Sequence, residues 1–226
     1  MPQEKVGSKV EESSWHEAPT QGEPVKPQSR KVIVVLENAS LEAALLNKHD
    51  TKMQLLNCDE HQSILKRLGR DIADARPDIV HQVYINTAKG TVIRINPECR
   101  IPRTIKRFSG LMVQLLERGC ISGDPEGHTK LLEIVPPPVV QYFPEGCRKI
   151  GKSLSWNAPK VRLSHFFKEI PDYTPIVVAV GAMAKGPDTF ADEYAKEKIG
   201  ISSYALSASV ACAKVCCTLE DLWDIM

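Results

Sequence analysis

The hydrophobic pattern of the chain changes sharply near residue 30. Residues 1–29 are rich in Glu, Lys, Ser, Pro and Gln and poor in large apolar side chains. Such a segment cannot bury enough surface to offset the entropy lost on ordering. We therefore predict a disordered tail over residues 1–29 and one folded domain over residues 30–226. The domain opens with Val32–Leu36, an apolar run typical of a strand covered on both faces.

Helix and strand patterns alternate along the rest of the domain. "SLEAALLNK" (40–48), with Ser40 as N-cap, and "HQSILKRLGRDIADA" (61–75) predict helices. "VYINTAKGTVIRIN" (83–96) alternates around Lys89-Gly90, which predicts a β-hairpin. "PIVVAVGAMAKG" predicts a buried parallel strand that opens into a glycine loop, and the C-terminal segment from Ser203 predicts a helix rich in small residues. This alternation predicts an α/β fold with a largely parallel sheet.

The segment "RIPRTIKRFSGLMVQLLERG" (100–119) predicts another helix. Pro102 fits its first turn and Gly119 ends it. Its buried stripe, at three- and four-residue spacing, is predicted to comprise Ile105, Phe108, Met112 and Leu115.

Cations cluster at the start of this helix, with Arg103 and Arg107 predicted on one helical face. The cluster comprises Arg100, Arg103, Lys106 and Arg107. A helix N-terminus already carries partial positive charge, so arginines there are unfavourable unless the site receives an anion such as phosphate. The alternative is a cluster that is paired to carboxylates elsewhere or simply solvated. Because the net charge of the chain is only +1, any surface for nucleic acid must be a local patch.

A second candidate element is "ARPDIVHQ". Pro77 holds its neighbours extended, so Asp78 can orient the guanidinium of Arg76 for a phosphate or base contact. Asp78 is also a candidate general base. The alternative is a loop salt bridge, which contributes little when it is exposed.

The third element consists of two glycine-containing loops. Gly181 and Gly186 bracket a loop at the carboxyl end of a strand, where open α/β sheets bind ligands. "ISSYALS" (201–207) suits a pocket whose backbone groups recognise a flat heterocycle. Neither loop has the glycine pattern of NAD or ATP sites, and as bare glycine loops both are nonspecific.

Composition narrows the class of protein. The seven cysteines form no CxxC pair, so we expect reduced thiols rather than a disulfide or zinc framework, and no metal site. The chain has no apolar run of membrane-spanning length, and its first residues lack the apolar core of a secretory signal. We therefore expect no membrane partner.

Six stretches taken together resemble one family. In chain order they are "LLNCDEHQ", "GRDIADARPDIVHQ", "RIPRTIKRFSGLMVQLL", "VGAMAKG", "FADEY" and "ISSYALSASVACAK". They resemble the eukaryotic methyltransferases that modify N1 of a pseudouridine in small-subunit rRNA, which belong to the knotted SPOUT class. The resemblance covers about residues 31–226.

The resemblance implies a C-terminal trefoil knot, S-adenosylmethionine as cofactor, a homodimer, a small-subunit rRNA stem-loop as substrate, small-subunit assembly factors as partners and a nucleolar location. By motif match, the cofactor residues would be Lys152, Gly181, Gly186, Ile201, Ser202, Ser203, Tyr204, Ala205 and Leu206. The RNA-binding residues would be Arg76, Arg100, Arg103 and Arg107. Asp78 would accept the N1 proton or orient Arg76.

The chain departs from the family pattern in three places. After Gln82 it lacks about one strand with its loop, and it has Ser203 and Ala205 where the family usually has Asn and Pro. Either other pairing replaces the strand, or the chain is an altered product with a compromised fold. The departures leave a second hypothesis open, a non-catalytic RNA-binding assembly factor of the small ribosomal subunit.

Overall fold

The computed structural model describes residues 30–46, 51–57, 60–67, 84–124, 127–152, 158–183 and 186–225. The predicted tail, Arg76, Asp78 and the junction after Gln82 lie outside these ranges. The strands are β1 (Val32–Ala39), β2 (Ala43–Ala44), β3 (Gln54–Leu55), β4 (Tyr84–Thr87), β5 (Val92–Ile95), β6 (Cys120–Ser122), β7 (Lys130–Val135), β8 (Arg148–Lys152), β9 (Ile176–Gly181) and β10 (Glu197–Ile199). The helices are α1 (Gln62–Arg67), α2 (Ile105–Arg118), α3 (Leu163–Lys168) and α4 (Ala208–Trp223).

One mixed sheet organises the fold. Its strand order is β10-β8-β9-β1-β4-β5-β7-β6. The strands from β10 to β4 are joined by parallel pairs, and β5, β7 and β6 continue the sheet through antiparallel pairs. The predicted α/β fold with a largely parallel sheet is therefore confirmed. No helix in the described ranges is long and apolar enough to cross a bilayer.

The strand β1 is buried on both faces, as its apolar run predicts. Val34 and Leu36 belong to the larger core cluster, which also contains Phe108 of α2 and Cys212 of α4. Val35 points to the opposite face, into a second cluster of buried valines. This alternation follows from the two-residue period of a strand.

Both neighbours of β1 are present in the described sheet. β9 pairs with it on one side, and β4 pairs with it in parallel on the other, with Leu36 opposite Ile85. The chain then turns through the predicted hairpin, where Gly90 has a φ of 80° and β5 runs antiparallel to β4. The exposed edge expected from a missing strand is thus covered at β1, although the junction after Gln82 lies outside the described residues.

Of two helices predicted from local patterns, one is absent from the structure, and the other is confirmed over the part that the structure describes. Ser40–Leu46 is not helical; it contains β2, which pairs with β3 and places Leu41 and Leu46 in buried positions. Tertiary pairing and burial therefore override the local helix propensity of this segment. The second predicted helix is helical only at Gln62–Arg67 within the described residues, since 68–83 are not described.

The start of α2 also differs from its prediction. Thr104 has extended dihedral angles and precedes the first helical residue, so Pro102 is not in the first turn. The side chain of Ile105 is 40% exposed, because the first turn projects beyond the packed core. The buried stripe begins one turn later and comprises Phe108, Met112 and Leu115.

The predicted end of α2 at Gly119 is confirmed and gives a stability prediction. Gly119 has a φ of 81°, its N–H donates to the carbonyl of Leu115 at 2.8 Å, and an added Cβ would meet nothing within 4 Å. Gly119→Ala should therefore lower the free energy of unfolding by about 1 kcal/mol through backbone strain alone. The matched variant Gly110→Ala, inside the same helix with equally open space, should raise it by about 1 kcal/mol. Urea denaturation measures the free energy of unfolding of both variants. Changes of the same sign in the two variants would contradict this prediction.

Candidate functional site

The carboxyl ends of three adjacent parallel strands meet at one edge of the sheet. β8 ends at Lys152, β9 ends at Gly181, and β10 ends just before Ile201. These residues are far apart in sequence, and the strand order brings them together. Ligands of open α/β sheets bind at this kind of edge. The structure therefore gathers three of the predicted cofactor stretches where such a site is expected.

Lys152 is a buried amine at this edge. Its side chain is 7% exposed, and within the described residues it makes no salt bridge to a carboxylate. Burial lowers the pKa of its ammonium group, and an interaction with Cys212 of α4 opposes that shift. Burial in turn raises the pKa of the Cys212 thiol to about 12. A buried amine with a perturbed pKa at a sheet edge is a frequent feature of functional sites.

The two predicted loop glycines are required by close packing. A Cβ added to Gly181 would lie 2.9 Å from Cε1 of Phe190 and 3.0 Å from Cε of Met183. Gly186 has a φ of 142°, and a Cβ there would lie 2.6 Å from Sδ of Met183. Met183 therefore lies close to both glycines, and a side chain at either position would displace it.

The loop after β10 is held by local hydrogen bonds. The hydroxyl of Ser202 accepts the N–H of Tyr204 at 3.0 Å, and Ser207 caps α4 by accepting the N–H of Val210. Ile201 is buried, whereas the side chain of Tyr204 is 82% exposed. Ser203 and Ala205 are exposed, and Leu206 is half-buried.

A cavity of about 440 Å³ adjoins this loop. Ile201, Ser202 and Ser203 line it, but Lys152, Gly181 and Gly186 do not. The predicted cofactor residues thus share one edge of the sheet, although they do not all line this cavity.

A buried acid, not predicted from the sequence, lies at the same edge. Glu37 near the end of β1 is 2% exposed and lies opposite Gly181 in the parallel register. One carboxyl oxygen accepts the hydroxyl of Tyr194, and the other accepts Nδ2 of Asn86 at 2.8 Å. Burial raises the pKa of Glu37, and the two hydrogen bonds oppose that rise in part. The sequence contained a clue, because Glu37 directly follows the apolar run of β1.

The predicted cation cluster is exposed. Its members Arg100, Arg103, Lys106 and Arg107 make no salt bridge to any residue that the structure describes. Arg103 precedes Thr104, so the prediction that Arg103 and Arg107 share a helical face is wrong. The first turn of α2 contains no acidic residue. The uncompensated charge inferred from the sequence is therefore present, although only Lys106 and Arg107 lie on the helix itself.

The sheet, with its converging glycine loops and buried amine, defines an α/β protein with a candidate ligand site at the carboxyl edge of parallel strands. The chain belongs to the EMG1/NEP1 methyltransferase family, whose model matches residues 34–83 and 82–220. The two matched segments overlap at residues 82–83. This is the point at which the sequence lacks about one strand of the family pattern.

Similar proteins are known from fungi, animals and archaea. A protein of Candida glabrata named ribosomal RNA small subunit methyltransferase NEP1 is 47% identical over 225 residues, covering 92% of this chain and 95% of its own. A human protein of the same name is 42% identical, covering 87% of this chain and 84% of its own. The crystal structure of Archaeoglobus fulgidus Nep1 bound to S-adenosylhomocysteine matches the fold with a TM-score of 0.69 at 22% identity, covering 86% of this chain and 99% of that chain.

Proposed function

We propose that this protein transfers a methyl group from S-adenosylmethionine to N1 of a pseudouridine in small-subunit rRNA. The observation that carries the proposal is the convergence of Lys152, Gly181 and Ile201 at one sheet edge in a chain of a methyltransferase family. Two further facts support it. The Candida glabrata and human relatives are named rRNA small subunit methyltransferases, and the archaeal relative binds S-adenosylhomocysteine.

The residues at the sheet edge fit this cofactor. When bound, S-adenosylmethionine supplies an electrophilic methyl group on a sulfonium sulfur. We assign its binding to Gly181, Gly186 and the 201–206 loop, because both glycines lie where a Cβ would crowd Met183. We assign to the buried amine of Lys152 a hydrogen bond donated to a polar group of the cofactor.

The cation cluster supports binding of an RNA backbone. Arg100, Arg103 and Arg107 are exposed, and no acidic residue stands in the first turn of α2. Phosphates would supply the missing counter-charge, and guanidinium groups bind them with two parallel hydrogen bonds. Arg76, outside the described residues, is proposed as a fourth contact of the same kind.

The chemistry of pseudouridine explains the choice of N1. Pseudouridine is joined to ribose through carbon, so its N1 carries a hydrogen, whereas the N1 of uridine is the glycosidic atom. The target base must leave its stack so that N1 can meet the methyl group in line. Because N1–H is weakly acidic, positioning and electrostatics supply most of the rate. We propose that Asp78 accepts the proton from N1 and also orients Arg76. Both residues lie outside the described ranges.

The proposal extends to assembly and location. We propose a C-terminal trefoil knot, in keeping with the fold shared with the archaeal structure. We also propose that the protein acts as a homodimer in the nucleolus, alongside small-subunit assembly factors. This part of the proposal is supported by the family, since the relatives described above are named as methyltransferases of small-subunit rRNA.

Calorimetric titration with S-adenosylhomocysteine, followed by methyl transfer to an RNA stem-loop that contains pseudouridine, tests the proposal. We expect saturable binding near one site per protomer, and transfer that requires pseudouridine rather than uridine. A folded protein that binds the RNA but not S-adenosylhomocysteine would instead be a non-catalytic assembly factor. An unfolded chain would show that the segment missing after Gln82 is essential.

The arginine assignment gives a prediction about RNA affinity. Arg103→Ala should weaken binding of the stem-loop and reduce the slope of log K against log salt concentration by about one, because one phosphate contact is lost. The affinity for S-adenosylhomocysteine should stay unchanged, since Arg103 is exposed and is not among the residues assigned to the cofactor. Fluorescence anisotropy at several salt concentrations measures the slope.

Arg118→Ala is the matched control for this experiment. Arg118 is an exposed cation in the last turn of the same helix, about 20 Å from its start for a helix of this length. It should leave the salt slope unchanged. If both variants lose the same amount of RNA affinity, α2 attracts RNA through its general positive charge, and the role assigned to Arg103 is wrong.

A further inference from the structure

Among the residues that the structure describes, three basic side chains and no acidic one line the cavity next to the 201–206 loop. The three are Lys160, Arg162 and Lys214. The cavity wall also carries four hydroxyl groups, on Ser164, Ser202, Ser203 and Thr218. A wall of cations and hydroxyls without carboxylates is complementary to an anion. None of these cations belongs to the arginine cluster near α2.

Backbone pairing places two of the cations. Lys160 forms a parallel bridge with Gly200, and the N–H of Val161 donates to the carbonyl of Gly200 at 2.9 Å. Arg162 is in extended conformation and follows Lys160 by two residues, so both side chains leave the same face of the segment. This pairing fixes both residues beside the loop that continues from Gly200 into Ile201.

Two further lining residues lie on one face of α4. Lys214 and Thr218 are four residues apart on this helix, so they are neighbours on its surface. The hydroxyl of Thr218 donates to the carbonyl of Lys214 at 2.7 Å, which leaves only its lone pairs for the cavity. Neither Arg162 nor Lys214 makes a salt bridge to a residue in the described ranges.

The hydroxyl groups can donate to an anion. The oxygen of Ser202 already accepts the N–H of Tyr204, so its proton remains available. The hydroxyl groups of Ser164 and Ser203 make no hydrogen bond to any described residue. Cations with adjacent hydroxyl donors recognise phosphate oxygens well. A volume of about 440 Å³ leaves room for more than a single small ion.

We propose that this cavity binds a phosphodiester group of the RNA substrate, as a second anchoring site separate from the arginine cluster. The inference rests on the proposed function, since the RNA is the substrate named there. Its location supports an RNA phosphate: the cavity shares Ile201–Ser203 with the loop assigned to the cofactor. An everted base that reaches the methyl group necessarily carries its flanking phosphates to the same region.

The double variant Arg162→Gln and Lys214→Gln tests the site. Both residues are exposed, so we expect unchanged thermal unfolding. Stem-loop affinity should fall at least about fivefold at physiological salt, with a salt slope smaller by about one to two. The affinity for S-adenosylhomocysteine should stay unchanged. Lys214→Arg, which keeps the charge, and Arg118→Gln, which removes a cation outside the cavity, should both bind RNA like the parent protein.

Other outcomes would overturn the inference. An unchanged RNA slope with weaker S-adenosylhomocysteine binding would assign the cavity to the carboxylate of the cofactor. An unchanged slope with loss of inorganic phosphate binding, measured by calorimetry, would assign it to a free anion. No change in any measurement would mean that Arg162 and Lys214 are only solvated. If the slope changes as expected while the parent transfers no methyl group, the phosphate site stands and the proposed catalysis fails.

Discussion

Replacing Gly181 by valine should reduce the affinity for S-adenosylhomocysteine by about a hundredfold or more. Even a single Cβ at this position would lie 2.9 Å from Phe190 and 3.0 Å from Met183. Valine adds two further methyl groups, so we expect a larger displacement of Phe190 and Met183, and with them of the segment after β9. A hundredfold loss corresponds to about 2.7 kcal/mol, within the range that overpacking costs, and it is expected if the loop binds the cofactor as proposed.

The size of the substituent should grade the effect. Gly181→Ala requires shifts of only a few tenths of an ångström in two side-chain ends, and it should weaken binding less than valine does. Gly186→Ala should also weaken binding, because Gly186 combines a φ of 142° with a Cβ position 2.6 Å from Sδ of Met183. Calorimetric titration of the three variants gives the series directly.

The control for this series is Gly110→Ala, at a glycine of α2 whose Cβ would meet nothing within 4 Å. It should bind S-adenosylhomocysteine like the parent. Thermal unfolding of each Gly181 variant separates loss of binding from loss of the fold. If Gly181→Val stays folded and binds normally, the loop after β9 is not part of the cofactor site, and that assignment fails.

Patterns that depend on neighbours in sequence were predicted well. The apolar run of β1, the hairpin at Gly90 and the helix end at Gly119 each follow from a few adjacent residues, and all three are present in the structure. Local geometry decides these features, because side-chain alternation and left-handed glycines act over short distances.

Features that depend on distant partners were not predictable in this way. Ser40–Leu46 has good local helix propensity, but β2 within it pairs with β3 and the segment is not helical. The Glu37 site needs Asn86 and Tyr194, which lie 49 and 157 residues away in sequence. The candidate cofactor edge needs the order β10-β8-β9, which no single segment specifies. From the sequence alone, only the family resemblance assigns these stretches to one site.

Removing the side chain of Glu37 should lower the free energy of unfolding by about 2–4 kcal/mol. Glu37→Ala leaves Nδ2 of Asn86 and the hydroxyl of Tyr194 without their acceptor and opens a cavity beside β1. For a domain of this size the melting temperature should fall on the order of 10 °C. Glu37→Gln keeps the volume and can retain both contacts if the hydroxyl of Tyr194 accepts from the new amide, so its effect should be smaller.

The pH dependence identifies the cause of this effect. Because burial raises the pKa of folded Glu37, the folded state holds this proton more tightly than the unfolded state, in which glutamate titrates near about 4.3. The contribution of Glu37 to the free energy of unfolding is therefore fully present below a pH of about 4.3, and it declines as the pH rises through the pKa of the folded state. Glu37→Gln cannot ionise, so its stability relative to the parent should increase over that window. Likewise, the free energy of unfolding of Glu37→Ala should fall furthest below that of the parent protein at low pH.

Tyr194→Phe offers an independent check on the same network. It removes one hydrogen bond to the carboxyl group, a bond that lowers the pKa of Glu37, so the decline in stability should move to higher pH. Urea denaturation of the parent and the three variants at several pH values between 4 and 8 gives the four curves. If Glu37→Gln runs parallel to the parent throughout, Glu37 does not titrate in this range. The buried acid at the sheet edge would then act through shape and hydrogen bonding alone.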